Sequence, residues 1–428
     1  MMISREKFAQ INNWFVILIL STIFFRSLAS ILIILFAVFN LANYKYLSFT
    51  KKNIPLLFVI CIPFLIEIFF LWNNLDSSRA FKPIEKVLSF LIFPLFIIQN
   101  YKIYDFYKIV NIYRKIFTIM LLVLMLRFLY FFPEYVHKYL NGIDLWEMGY
   151  VFTQSFGNHA PVVNMHIAFV VILNLFFIFK SEDLKNKIVN YIFLIIIIVA
   201  LFFVNTRLSL GSVIICSFIM FIVLIYKKYK LKGFYMLGGF ILLVFTIVFI
   251  AFKTNPYMKE KYSKVTFAYM DKIGKLDEVE NPDLVLHNAL VTRVSIWKSA
   301  LDVGKKEFLF GYGSAHGKDV LNKYYTDSNQ KFLAKYDFPV HNQFLDYFLK
   351  YGIVGVLCLF ILFISVFRIS ILSKNILGLC FTLNFLFSNL FDDFLIRFDG
   401  IVYSSIFFSL ICVYYLKFKN GHKLFNFN

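Results

Sequence analysis

PVHNQFLDYFLKYGIVGVLCLFILFISVF (residues 339–367) starts on polar residues and becomes almost wholly apolar from Tyr351 onward. The segment from 343 to 367 is long enough to cross the hydrocarbon core of a bilayer, which takes about 20 helical residues. It sets His341 and Asn342 where water meets lipid. Ahead of it lies a long polar stretch, 253–342, and further apolar runs flank both. The pattern is that of an all-α, polytopic integral membrane protein with one large helical loop outside the membrane. Composition agrees: 60% of the 428 residues are hydrophobic and 57 are phenylalanine, far more apolar surface than one soluble core can bury.

About twelve spans are expected, near 12–25, 27–43, 54–72, 84–99, 114–131, 159–179, 189–205, 208–226, 233–252, 343–367, 375–391 and 401–416. The net charge of +19 would suit nucleic acid, but the cations sit in short clusters between apolar runs. Lys51 and Lys52, Lys102, Lys108, Arg114 and Lys115, Lys185 and Lys187, Lys227 and Lys228, Arg368 and Lys374, and Lys417 and Lys419 all fall on alternate connections. That is the positive-inside pattern, with both termini cytoplasmic and the 253–342 loop outside; a loop of that length crosses whatever its charge.

Arg5, Lys7 and a following apolar run resemble a signal peptide, with Ser27-Leu28-Ala29 as a cleavage site. The apolar pattern resumes directly after Arg26, which favours a retained hairpin. The five cysteines (Cys61, Cys216, Cys358, Cys380, Cys412) all fall inside spans, so neither a disulfide framework nor a zinc site is indicated.

The loop is the one sizeable polar segment. Residues 289–303 predict an amphipathic helix with Leu290, Val294, Trp297 and Leu301 on its apolar face, and Arg293 falls in its first turns. Glycine turns follow at Gly304, Gly311 and Gly313, then a short helix near 316–326. Such a loop suits a lid over a site open to lipid. A further arginine, Arg207, interrupts two apolar runs in NTRLS (205–209). Two guanidinium groups and a titratable imidazole, all expected on one face of a membrane, point to chemistry on an anionic, lipid-linked substrate.

These residues resemble a known family. From about 84 to 400 the chain is similar to the O-antigen ligase and polymerase superfamily of bacterial membrane glycosyltransferases. The likeness is carried by IEKVLSFLIFPLFI (84–97), NTRLSLGS (205–212), VTRVSIWKSA (291–300), the FGYG turn (310–313) and HNQFLDYFLKYGIVG (341–355). FGNHAPVVNMH (156–166) is a looser likeness, and leaves His159 open as a site residue. The resemblance implies a glycan donor on undecaprenyl diphosphate and an acceptor sugar hydroxyl on lipid A-core or on another lipid-linked glycan. It implies no metal and no cofactor, and a bacterial inner-membrane enzyme working on the periplasmic face. Arg207 and Arg293 would hold the diphosphate, His341 would act as base, and Asn342, Asp346 and Asp392 would support the site or the acceptor. Direct displacement would invert the anomeric configuration.

Each residue also has a plainer reading. Arg207 and Arg127 can snorkel to headgroups, and Arg293 can form surface ion pairs. Asn342, Gln343 and Asp346 suit a helix start, and His341 suits a cap beside it. His287 and His316 read as loop residues. His166 and Glu67 are packed polar groups or part of a tunnel. Asp392, Asp393, Arg397 and Asp399 pair with one another. A repeat-unit polymerase would use the same donor. A transporter or flippase of lipid-linked sugars belongs to a different class, and the chain lacks the matching halves common in such proteins.

Overall fold

In a computed structural model of the chain, the residues described are 4–74, 77–143, 147–229, 267–286 and 289–421, with isolated positions between 230 and 266. The structure is helical throughout, with no strand among the described residues. The membrane part comprises α1 (Arg5–Ser21), α2 (Arg26–Ala42), α3 (Ile54–Ile60), α4 (Ile62–Phe69), α5 (Ser77–Val87), α6 (Ser89–Gln99), α7 (Phe106–Phe131), α8 (Pro133–Leu140), α9 (Glu147–Gln154), α10 (Ala160–Lys180), α11 (Leu184–Val204) and α12 (Arg207–Tyr229). The loop supplies α13 (Pro282–Val285), α14 (Leu290–Gly304), α15 (Gly317–Asp327) and α16 (Lys331–Tyr336). The chain then re-enters the bundle with α17 (Gln343–Leu372), α18 (Ile376–Phe391) and α19 (Phe398–Lys419).

Helices fall on each expected run except 233–252, which lies almost wholly outside the described residues, and the runs 54–72 and 84–99 are each split between two helices. Among the described residues, six helices are long and apolar enough to cross a membrane, or seven if the pair around Cys61 counts as one span bent by 73°. That bend follows from Pro63, which enters the first turn of α4 without an N–H to continue the ladder from α3.

α10 and α19 are buried almost throughout and form the centre of the bundle, whereas α11 turns most of its surface outward. On α19, Ser404, Ser405 and Ser409 each donate to a carbonyl of their own helix. Rings interlock around them, Phe381 stacking on Phe407 with centroids 4.6 Å apart. In lipid, close packing of this kind carries helix association, because tails are as apolar as the side chains.

α17 departs from the continuous span expected at 343–367. It breaks at Gly352, whose φ of 62° and ψ of −155° lie outside the helical region. The FGYG turn fills the break. Tyr312 and Gly313 N–H donate to the carbonyls of Leu349 and Lys350, and Ile353 N–H donates to Phe308, each at 2.8 Å. A Cβ at Gly311 would lie 2.6 Å from the Leu349 carbonyl, so only glycine allows this approach. Asn73 and Asn74 clasp the turn from the other side, through Phe310, Gly311 and Ala315.

Two further readings are corrected. α14 forms where expected, but Leu301 is exposed and the buried face is Val291, Ser295, Ile296, Ser299, Ala300 and Val303. Small residues win that face because the end of α14 packs tightly on α17, with Phe348 against Gly304. Arg114, read as a connection cation, sits two turns inside α7 and is only 1% exposed.

Candidate functional site

The site is built where several helices end together. Asn205 takes a left-handed conformation (φ 49°) and closes α11; Arg207 opens α12 two residues later. The break is held by Asn164 of α10, which donates to Thr206 at 2.9 Å, and by Thr206, which donates to Ser209. Arg293 projects from the first turns of α14. Its charge, with those of Arg207 and Asp392, reaches the Tyr150 phenol on α9, whose pKa burial above all raises.

His341 stands on the hinge between loop and bundle. Its φ of 52° is unusual for a residue with a side chain, and backbone held in that region costs energy that surrounding contacts must overcome. Trp297 of α14 donates to the His341 carbonyl at 3.3 Å. Asn342 caps α17 by accepting from Phe344 and Leu345 N–H, and donates across to the Leu390 carbonyl at the end of α18. Gln343 accepts from Leu395 N–H at 2.8 Å. These contacts lock the histidine against the turn that follows α18.

That turn carries the acids. His341 Nδ1 lies 3.2 Å from Asp392 Oδ1, and the histidine side chain is 17% exposed. Burial works against the Asp392 charge, but its contacts with His341 and Asp393 N–H, with Arg397 nearby, hold its carboxyl below the usual range. Burial and the Asp392 charge push Asp393 the other way. Arg397 Nη2 lies 3.9 Å from Asp392 and 4.0 Å from Asp393. With Nδ1–H given to Asp392, the imidazole keeps its Nε2 lone pair for an incoming proton.

The structure thus brings together Arg207, Arg293, His341, Asn342 and Asp392. Asp346 stands apart: it is buried and paired with Lys350 at 2.7 Å. Glu67 accepts from Tyr351 and His166 packs against Tyr403, both inside the bundle. Arg127 reaches the Ser155 carbonyl at 3.5 Å and lies over the Phe131 ring, at the bundle edge. His316 caps α15, and His287 lies outside the described residues.

Three residues that the structure sets beside this cluster were not assigned to it from the sequence. Tyr150 gave no signal at all. His159, just before α10, lies with its ring 6.1 Å from that of Tyr150 and feels the charges of Arg397, Asp392, His341 and Arg293. Burial lowers it to about 4, so it is neutral at pH 7. Arg397 was legible as an ion-pair partner of Asp392, but not as the link to His159. His341, Asp392 and Asp393 each present a ligand atom within 4.8 Å of the others, the one such trio among the described residues. Arg397 already shares both carboxylates, so a cation there would compete with a guanidinium.

Residues 191–360 match the Wzy_C family model, described as O-antigen ligase. Arg207, Arg293 and His341 fall within the match. Residues 191–360 belong to the O-antigen ligase family. With the apolar helices around it, this segment makes the chain a membrane enzyme of polysaccharide biosynthesis. His159, Asp392 and Arg397 lie outside the matched O-antigen ligase segment yet meet its residues in space. No curated protein matches the sequence.

Proposed function

We propose that the protein is a metal-independent, inverting glycosyltransferase of the O-antigen ligase type. It would move a glycan from undecaprenyl diphosphate to a sugar hydroxyl of lipid A-core, at the periplasmic face of the bacterial inner membrane. The observation that carries this reading is the 3.2 Å contact between His341 and a buried Asp392, with Arg397 beside that acid and Arg207 and Arg293 acting with it on the neighbouring Tyr150 phenol.

In this reading Arg207 and Arg293 fork onto the diphosphate oxygens, as planar guanidinium groups do best. The acceptor oxygen attacks the anomeric carbon from the face opposite the diphosphate. As the new C–O bond forms, the hydroxyl proton passes to His341 Nε2. The old C–O bond breaks and its electron pair leaves on the diphosphate. Asp392 stabilises the imidazolium that results and fixes its tautomer, and the proton then returns to solvent. The arginines take the charge-holding part that a divalent ion plays elsewhere.

The reading is tested with purified protein, undecaprenyl-diphosphate-linked glycan and lipid A-core, in the presence of chelator. Transfer with inversion is expected. Dependence on an added divalent ion would point instead to the His341, Asp392 and Asp393 trio as a metal site. In a deletion strain, loss of long glycan from the core with lipid-linked polymer retained supports a ligase; a core capped with one repeat supports a polymerase. Impermeant thiol reagents should reach cysteines placed at Lys272 or Asp319 in intact cells, and at Lys185 only after permeabilisation.

A further inference from the structure

Beside the His341 site lies a cavity of about 320 Å³ that the reaction described above does not use. It is lined by Arg26, Lys86, Asn158, His159, Arg397 and Asp399, with apolar residues between them. Three permanent cations thus face a single carboxylate. The cavity adjoins the reaction centre through Arg397, which is 3.9 Å from the same Asp392 oxygen that His341 meets.

Three helices also begin on its wall. α2 starts at Arg26, α10 follows His159 and α19 follows Arg397, and none of the three has a side-chain hydrogen bond from its N-cap residue. Asp399 accepts from its own N–H and that of Gly400, which serves α19 in part. The positive ends of three helix dipoles therefore converge where the cations do. Two polar atoms of the wall are buried without a hydrogen-bond partner: Arg397 Nε, which can only donate, and His159 Nδ1. Arg26 and Lys86 are exposed at the cavity mouth, and the Arg26 guanidinium lies over the Phe398 ring at 5.5 Å. Asn158 donates to the Phe24 carbonyl at 2.9 Å, which ties the His159 segment to the α1–α2 hairpin.

We propose that this cavity is a second anion subsite, which takes a phosphate or carboxylate on the acceptor glycan while Arg207 and Arg293 hold the donor. The proposal rests on the transferase reading. It adds that the acceptor is itself anionic and is recognised through its charge. A neutral sugar would leave the cations, the free Arg397 donor and the helix ends without an answering group.

The test is a binding measurement, so its outcome does not depend on whether transfer is observed. Full-length protein in phosphatidylcholine nanodiscs is saturated with undecaprenyl diphosphate and titrated with glucose 6-phosphate, with glucose as the neutral control. The wild type and Arg207→Lys should bind the sugar phosphate, and glucose should not bind. The double variant Arg26→Gln/Lys86→Gln should bind it about tenfold or more weakly, because two charge-assisted contacts are lost. The charge-conserving swap Arg26→Lys/Lys86→Arg should largely restore binding, which separates loss of charge from misfolding. In transfer assays the double variant should raise KM for the acceptor and leave KM for the donor unchanged. Equal binding by wild type and double variant overturns the proposal, as does no binding by the wild type. Loss of probe binding in Arg207→Lys would mean that the probe occupies the donor site. Displacement of the probe by phosphatidylglycerol in the discs would make the cavity a lipid-headgroup site instead.

Discussion

Two polar clusters lie toward opposite ends of α10, and they are built on opposite terms. Toward its C-terminal end, Arg114 is fully buried and forms no ion pair among the described residues. Its guanidinium donates to Asn111, to Asn174 at 2.6 Å and to Asn190 at 2.6 Å, and its face lies over the Phe177 ring. Asn174 and Asn190 in turn donate to carbonyls of α10. At the other end, Asp392 Oδ2, both Asp393 oxygens, His159 Nδ1 and Arg397 Nε are buried and find no hydrogen bond. Charge is concentrated there rather than dispersed over amides. Native proteins satisfy nearly every buried polar group, and several charged ones left unsatisfied side by side suit a ligand. The first cluster ties α7, α10 and α11 together; the second is the one to which the proposed function assigns the substrate.

The comparison breaks most sharply at His341. His341→Ala should lower transfer by about 10²–10⁴-fold, the usual worth of general-base help, while donor binding survives. Near-normal transfer in that variant would reduce His341 to a cap. Arg207→Lys comes next. It should lose about 10–100-fold in transfer, nearly as much as Arg207→Ala, because lysine keeps the charge and loses the fork. Full activity there would mean that position beside headgroups was all that mattered.

Arg114→Leu tests the other cluster. It strands the carbonyl oxygens of three asparagines, at about 1–3 kcal/mol for each group left unsatisfied. Melting temperature in detergent should fall, with the specific activity of the folded fraction unchanged; a selective loss of kcat would erase the distinction between the clusters.

The smallest effect concerns His159. Its folded value, about 4, lies below the ordinary imidazole value of 6.5. Its contribution to stability is therefore present above pH 6.5 and is lost as pH falls toward 4, when the unfolded chain takes up the proton first. The slope in that window is up to about 1.4 kcal/mol per pH unit. His159→Gln should flatten this acid limb in melting curves taken at pH 7 and pH 5. An unchanged limb would assign the acid sensitivity to other groups.

The helices were legible in the sequence because a span announces itself by length and hydropathy, both local properties. Arg207, Arg293 and His341 were legible because each sits at a boundary between polar and apolar sequence. Tyr150 and Arg397 were not, since their roles arise from helices that meet only after folding. The face of α14 was misread for a related reason. Hydropathy favoured Leu290, Trp297 and Leu301, whereas the close approach of α17 demanded small residues. Arg114 was misassigned because nothing local distinguishes a cation that answers three distant amides from one that faces water.

The joint at Gly352 has a further consequence. The loop ahead of α17 is fastened to the bundle there by main-chain groups: three backbone hydrogen bonds and a glycine that admits no side chain. A fastening of that kind is indifferent to most substitutions on the loop's outward surface. Residues exposed there can drift in charge and shape while the anchor of α14 to the bundle stays put. The joint is held constant by the backbone, and the surface beyond it is left open to variation.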